Sequence, residues 1–418
     1  MLKSSLLYKI INGIWDMCFI WKTEMRNVFR DEGVLIFCIL VPLGYPLLYS
    51  WIYNNEVVRE VDTAIVDLSH SHTSREFIRE YDATPDAKAT YYCNSLDEAK
   101  LLVQKQAVHG ILYIPSDFDT RLNRGEQAHV SVYTDMSLML TYKAIYQSAL
   151  AVASHINSGI QITQAGGFTD RDDEITTEPL AFDEVPIFNT TMGYGNAILP
   201  AVLVLILQQT MLLGIGMAAG TSRELNRNRE LISVSKHYGG IYRIVFGKAL
   251  VYFMVYAVMG MYLALVVPKL FGFVSMVTWT TILGFLLPYI LSCIFFGLML
   301  SCLVRYRENV MLLVVFTSVP LLFMTGVSWP LSNMPSFWQG ISWVFPSTFG
   351  IRGFLRISSM GASLADILPE FRALWIQTAV YFFATCLVFR QQLRSARLKA
   401  HLTAEVTEEE DEEETEHK

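Results

Sequence analysis

Long uncharged apolar stretches alternate with short charged ones along most of this chain. Val34 to Tyr53, about Asn196 to Thr221, Ala249 to Val267, about Thr280 to Val304, Val310 to Ser328 and Ala373 to Phe389 each run roughly 17 to 26 residues without a charge. About 20 apolar residues of helix cross a 30 Å hydrocarbon core, so six transmembrane helices are predicted. Residues 54–190 follow a different rhythm. The β-rich runs "DTAIVDLS", "ATYYC", "HGILYIP" and "HVSVYTD" alternate there with helical patterns at "TSREFIREYDA", "SLDEAKLLVQKQA" and "SDFDTRLNRG", and a longer helix is expected over about Ser137 to Thr163. The expected fold class is therefore membrane all-α, six transmembrane helices with an α/β extracytoplasmic domain inserted between helices 1 and 2.

Before the first span, Leu7, Ile10, Ile11, Ile14, Met17, Cys18, Trp21, Met25 and Val28 fall on one side of a helix. Lys9, Asn12, Asp16, Thr23, Arg26 and Arg30 fall on the other. This pattern predicts an amphipathic helix in the membrane interface, serving as an anchor or also touching a cytoplasmic partner. The chain then divides into residues 1–33 (interfacial helix), 34–53 (helix 1), 54–190 (α/β domain), 191–389 (helices 2 to 6) and 390–418 (tail). Within the fourth part lie a charged loop, 222–248, and an outer re-entrant segment, 329–351.

Composition agrees with the spans: 52% of residues are hydrophobic and 17% charged, and the mean hydropathy is +0.35. Lys and Arg settle the expected orientation. Seventeen lie in the segments that the pattern places inside, against four in the short outside loops, Lys269, Arg352, Arg356 and Arg372. By the positive-inside rule both termini are cytoplasmic and residues 54–190 lie outside. That domain holds 21 Asp and Glu against 10 Lys and Arg, which argues against nucleic acid as a partner. The tail "EVTEEEDEEETEHK" is a run of like charge expected to stay disordered.

Several kinds of chemistry are missing. No Cys/His cluster suggests a metal, and no GxSxG suggests a hydrolase; "SHSHTSR" after a predicted strand reads as a helix cap. "GKA" at Gly247 to Ala249 is no P-loop, because Tyr242 stands where the first glycine would be, so Gly247 and Lys248 read as the beginning of a span. The uncharged runs hold no Asp, Glu, Lys, Arg or His, which disfavours an ion-coupled transporter. A membrane sensor or receptor remains the other alternative, and it would need a cytoplasmic output domain.

Three stretches carry candidate function. Residues 222 to 235, "SRELNRNRELISVS", place Arg223, Glu224, Arg227, Arg229, Glu230 and Leu231 at helical spacing between two spans. The six charges from Arg223 to Lys236 would cost on the order of 15 kcal/mol in lipid, so the stretch must lie in water. On the other side, the uncharged segment from Ser328 to Gly350 contains Pro330, Pro335 and Pro346, which preclude one straight helix and predict short re-entrant or interfacial pieces. In the second span, Gln208 and Gln209 precede Gly216 and Gly220, a GxxxG spacing that packs helices within one chain or between two copies. If two copies meet there, Gln208 faces a transported molecule.

Four segments together resemble the permease subunits of ABC exporters of the second type, in the subgroup with a large periplasmic domain: "EMRNVFRDEGVLIFCILVPL", "AIVDLSHSHTSR" with "HGILYIPSDFDTRLNRG", "SRELNRNRELISVSKHYGGIYRIVFGKALVYF" and "FMTGVSWPLSNMPSFWQGISWVFPSTFGIRGF". In one departure, Gly220 and Thr221 precede the charged loop here instead of lying inside it. The resemblance implies a permease that is not itself an enzyme and exports an apolar or amphipathic substrate such as a drug or lipid. ATP and Mg would be bound by a separate ABC ATP-binding subunit, and Arg223 to Ser235 would form the coupling helix seated on it. It further implies a second permease copy or paralogue, a periplasmic adaptor protein as a candidate partner, surrounding membrane lipid, and an outer gate around Gly326, Pro330, Pro335 and Pro346.

Overall fold

Proline placement shapes the first and third apolar segments. In the computed structural model each contains a π turn, Ile36–Leu40 and Tyr262–Val266, and each turn is followed two residues later by a proline, Pro42 and Pro268. Proline has no N–H to return to the preceding turn and its ring crowds the carbonyl there, which a locally widened turn relieves. The structure describes residues 6–166, 169–178, 187–190, 193–225, 240–304 and 306–416. It divides into two compact units, Met1–Asn54 with Phe188–Lys418, and Asn55–Ile187.

Along the chain α1 (Leu6–Arg30), α2 (Glu32–Leu35) and α3 (Val41–Ile52) come first. The second unit follows as β1 (Val61–Asp67), α4 (His72–Asp82), β2 (Ala87–Tyr92), α5 (Leu96–Gln104), β3 (Gly110–Ile114), α6 (Phe118–Asn123), β4 (Ser131–Thr134), α7 (Met139–Ala165) and α8 (Asp170–Thr177). The first unit resumes with α9 (Tyr194–Leu225), α10 (Ile241–Met261), α11 (Val267–Phe271), α12 (Trp279–Ser301), α13 (Arg307–Met324), α14 (Ser336–Ser342), α15 (Pro346–Met360) and α16 (Leu368–Glu416).

Among the described residues, six helical segments of the first unit are long and apolar enough to cross a membrane: Glu32–Ile52, Tyr194–Glu224, Ile241–Phe271, Trp279–Ser301, Arg307–Met324 and Leu368–Ala396. The chain is a multi-pass membrane protein. Its core is built on α12, where Ile282, Phe285, Tyr289, Cys293 and Ile294 are fully buried. Polar side chains lock neighbours onto it: the Tyr289 hydroxyl donates to the Val204 carbonyl of α9 at 2.8 Å, and Thr378 and Thr385 of α16 donate to the carbonyls of Pro288 and Phe295 at 3.1 and 2.9 Å. Inside an apolar bundle such bonds fix the register of one helix against the next.

Two expectations need correction. The third segment begins at Ile241, earlier than the uncharged run, so Arg243 and Lys248 lie inside a candidate span. Each is tolerated because an acidic side chain of α1 meets it, a pairing across more than 200 positions that no local pattern shows. The acidic tail, expected to be disordered, instead continues α16 to Glu416. Extending an existing helix requires no new nucleus, and glutamate is a good helix former, so charge repulsion does not end it.

The second unit is a four-stranded sheet in the order β2-β1-β3-β4, with β1 parallel to β2 and β3, and β4 antiparallel to β3. All four expected strands form. Strand β1 is apolar on both faces because both are covered: Ile65 joins Phe77, Ile78, Tyr81, Leu112 and Ala149 on one side, Ala64 and Val66 join Ala99 and Ile111 on the other. "SHSHTSR" does cap a helix, since Ser71 and Ser74 exchange bonds in a capping box at the start of α4.

Candidate functional site

One end of the first unit gathers its charged residues into four joints. In the first, Glu24 of α1 accepts from Lys248 Nζ at 2.7 Å and from the Tyr252 hydroxyl at 3.3 Å, with both charged side chains 8% exposed. Gly247 makes this approach feasible, because a Cβ there would stand 2.9 Å from Ile20 Cγ2 and 3.1 Å from the Met17 carbonyl oxygen. Glu24 is carried inward by helical phase: it lies four residues from Ile20 and from Val28, both buried against the core. The second joint, nearer the start of α1, is Arg243 with Asp16 at 2.5 Å.

Asp31 makes the third. Its Oδ1 caps α2 through the amides of Gly33 and Val34 and accepts from Arg307 at 3.0 Å, while Oδ2 accepts from Thr221 at 2.6 Å. Burial alone would raise this carboxyl, but the Thr221 hydroxyl, the Val34 amide and the Arg307 guanidinium outweigh it and hold it below the usual carboxylate range. One aspartate thereby ties α2, α9 and α13.

Arg223 makes the fourth. Expected on a partner-facing surface, it is instead buried at 7% exposure and donates to the carbonyls of Val304 and Cys302, closing the end of α12 onto α9. Lysine can deliver charge there but not a fork of donors. Arg223→Lys is expected to lower stability by about 1–2 kcal/mol, read as a fall in the thermal unfolding midpoint of the detergent-solubilised protein; an unchanged midpoint would show that the fork is dispensable. Glu224 is exposed. Arg227, Arg229, Glu230 and Leu231 lie outside the described residues.

The glycine pair sits beside these joints. A Cβ on Gly216 would stand 2.5 Å from Val310 Cγ1, and one on Gly220 3.0 Å from the backbone N and Cα of Arg307. Both glycines therefore seat α13 on α9 within this chain.

Away from this charged end the three prolines begin short pieces. Pro330 precedes the 3-10 turn Leu331–Asn333, Pro335 precedes α14, and Pro346 opens α15. Gly326 ends the preceding helix region at φ +92, and a Cβ there would meet Leu331 Cγ at 2.7 Å. Gln208 of α9 is fully buried and reaches the first turn of α15: its Oε1 accepts the Ser347 amide at 2.6 Å and its Nε2 donates to Ser347 Oγ at 3.1 Å. Neighbouring Gln209 is 7% exposed, and neither of its amide atoms has a partner among the described residues. Among the described residues no group of three or more His, Cys, Asp or Glu could hold a metal ion.

Sequence reasoning singled out Arg223, Gln208, the glycines and the prolines but missed Asp16, Glu24, Asp31, Arg243, Lys248 and Arg307. For Glu24 a signal existed, an acid in phase with the apolar stripe of an amphipathic helix. Comparison with known proteins adds an independent line. The family profile described as "ABC-2 family transporter protein" matches residues 33–387. The linearmycin resistance permease protein LnrN of Bacillus subtilis (strain 168) is 23% identical over 372 residues, spanning 82% of this chain and 92% of the relative. The inner membrane transport permease YadH of Escherichia coli (strain K12) is 28% identical over 114 residues, 27% of this chain and 44% of that protein.

Proposed function

Because the chain belongs to the ABC-2 family of transporter proteins, we propose that it is the permease subunit of an ATP-driven exporter, moving an apolar or amphipathic compound out of the cytoplasm or inner leaflet. The observation that carries the reading is the charged end of the bundle. Asp31, Arg223 and the Glu24–Lys248 pair join α1, α2, α9, α10, α12 and α13, so a push delivered to the loop after α9 is passed to most of the bundle. In this reading that end is cytoplasmic, both termini are inside, residues 54–190 are extracytoplasmic, and the membrane is a bacterial inner membrane.

An ABC ATP-binding subunit, holding ATP and Mg, takes the loop containing Arg227, Arg229, Glu230 and Leu231 in a groove. A second copy or a paralogue completes the pathway, and Gln208 and Gln209 belong to the helix interface that borders it. The prolines and Gly326 shape an outer gate. A periplasmic adaptor is a candidate partner of the extracytoplasmic domain. One relative is named for linearmycin resistance, and expulsion of a harmful compound fits the same architecture.

The test is purification of the native complex in mild detergent, with mass spectrometry of co-purifying chains and an ATPase assay. A stoichiometric P-loop subunit supports the reading; a chain that emerges alone and inert overturns it. Leu231→Asp is expected to reduce transport on the order of tenfold while the protein still inserts, because an unpaired charge in an apolar groove weakens docking. Unchanged transport would remove this loop from the coupling contact. Burial of Glu24 and Lys248 supports a second reading, ion-coupled transport, which collapse of transport by an uncoupler at constant ATP would select.

A further inference from the structure

The 55–187 unit contains a cleft of about 520 Å³ where β1 and β2 end. Carboxyl ends of parallel strands are where open α/β sheets receive ligands, because successive loops diverge there. Its floor is apolar, formed by Ile65 and Ile78. One wall is the face of α4 that carries Arg75 and Arg79, and the opposite rim is Tyr92.

Tyr92 is there because of a bulge. Ala89 pairs with Thr63 but Tyr91 pairs with Ala64, so the register skips Thr90 and sets Tyr92 opposite Ile65, on the α4 face of the sheet. Without the skip its side chain would point to the other face. The bulge brings a large aromatic over the cleft and leaves it 68% exposed.

Two carboxylates and two guanidiniums line the cleft, and they differ in how far their hydrogen-bonding groups are already used. Both carboxylates that line it are engaged: Asp67 accepts the Ser69 and His70 amides at 3.0 and 3.1 Å and the Ser74 hydroxyl at 2.8 Å, and Asp82 accepts the Ala89 amide at 2.8 Å. The guanidiniums are used less. Arg79 reaches Glu76 only at 3.4 Å, and Arg75 has no ion pair among the described residues. Two like charges four residues apart on a helix repel, and here they do so inside a unit with 21 acidic and 10 basic residues. Burial, then the Glu98 carboxylate, raises the Cys93 thiol at the cleft's edge, so binding fits this site better than thiol chemistry.

We propose that this cleft binds an anionic amphiphile, a molecule with a phosphate or carboxylate next to an aromatic or aliphatic group. The anion sits between Arg75 and Arg79, and the apolar part lies over Ile65 and Ile78 against the Tyr92 ring. The assignment stands independently of the transport reading. Phosphate on a lipid headgroup and phosphate on a soluble compound share this chemistry.

The test uses the full-length chain in phosphatidylcholine nanodiscs, titrated calorimetrically with phenyl phosphate. Saturable binding of phenyl phosphate and none of benzylamine is expected. Arg75→Gln with Arg79→Gln should weaken it by about tenfold or more, since each lost contact is a charge-assisted bond. Tyr92→Ala should weaken it about threefold. Both arginines are exposed, so an unchanged melting curve verifies that the double variant is folded. Repeating the titration with phosphatidylglycerol in the discs separates the sources: reduced apparent affinity assigns the site to a lipid headgroup, unchanged affinity to a soluble anion. No saturable binding, or equal affinity in the double variant, overturns the proposal.

Discussion

Glu24→Leu is expected to destabilise the folded chain by about 3–5 kcal/mol, the loss seen when one member of a buried ion pair is removed. The pair lies between α1 and α10 at 2.7 Å, and water is nearly excluded from both side chains. Removing the carboxylate strands the Lys248 ammonium and also leaves the Tyr252 hydroxyl without the acceptor it reaches at 3.3 Å. The double replacement Glu24→Leu with Lys248→Met should recover most of the loss, since a buried pair exchanged for apolar groups of similar size is often neutral. Thermal unfolding of both single variants and the double in one detergent measures the coupling. Additive losses would show that the two charges do not depend on each other and that α1 is held by packing alone.

What sequence patterns made legible was local. Period-two and period-3.6 apolar spacing located the strands, the helices of the second unit and six spans, because burial of one face or all faces leaves its mark on consecutive residues. The π turns precede Pro42 and Pro268, but Pro200, Pro288 and Pro320 lie inside helices that have no such turn, so proline alone does not announce them. Pairing was not legible. Gly216 and Gly220 announce a close helix contact, but a GxxxG spacing is the same whether the neighbour is α13 of this chain or another copy. Gln208 meets Ser347 across 139 positions and Glu24 meets Lys248 across 224, distances over which periodicity is silent. Arg223 shows the same limit from the other side: its charge marked it as exposed, yet the bare carbonyls at the end of α12 are where a guanidinium can be buried with its donors satisfied.

Gly350→Ala is expected to cost about 3 kcal/mol, near the top of the range for one extra methyl in a packed core. The added Cβ would press on the Tyr289 ring, within 2.6 Å of Cδ2 and 3.0 Å of Cζ. The ring cannot retreat. Tyr289 is fully buried, stacked on Phe285 at an interplanar angle of 10°, and tethered to the Val204 carbonyl at 2.8 Å. The strain therefore falls on α15, whose first turn is held to α9 by the Gln208–Ser347 bonds and whose middle is held to Thr325 by Arg352 at 3.2 Å. Pushing α15 off α12 loosens the proline-started segment packed against it, so transport should fall along with stability. Gly340 provides the control: it lies in the short helix α14 of the same proline-started segment, but nothing stands within 4 Å of its Cβ position, and Gly340→Ala should be neutral or slightly stabilising. Tyr289→Leu in the Gly350→Ala background should return part of the loss by clearing the collision. If Gly350→Ala melts with the unaltered protein, or if Tyr289→Leu makes it worse by its full single-variant cost, then α15 and α12 are not in rigid contact, and α15 is held by Gln208 and Arg352 instead.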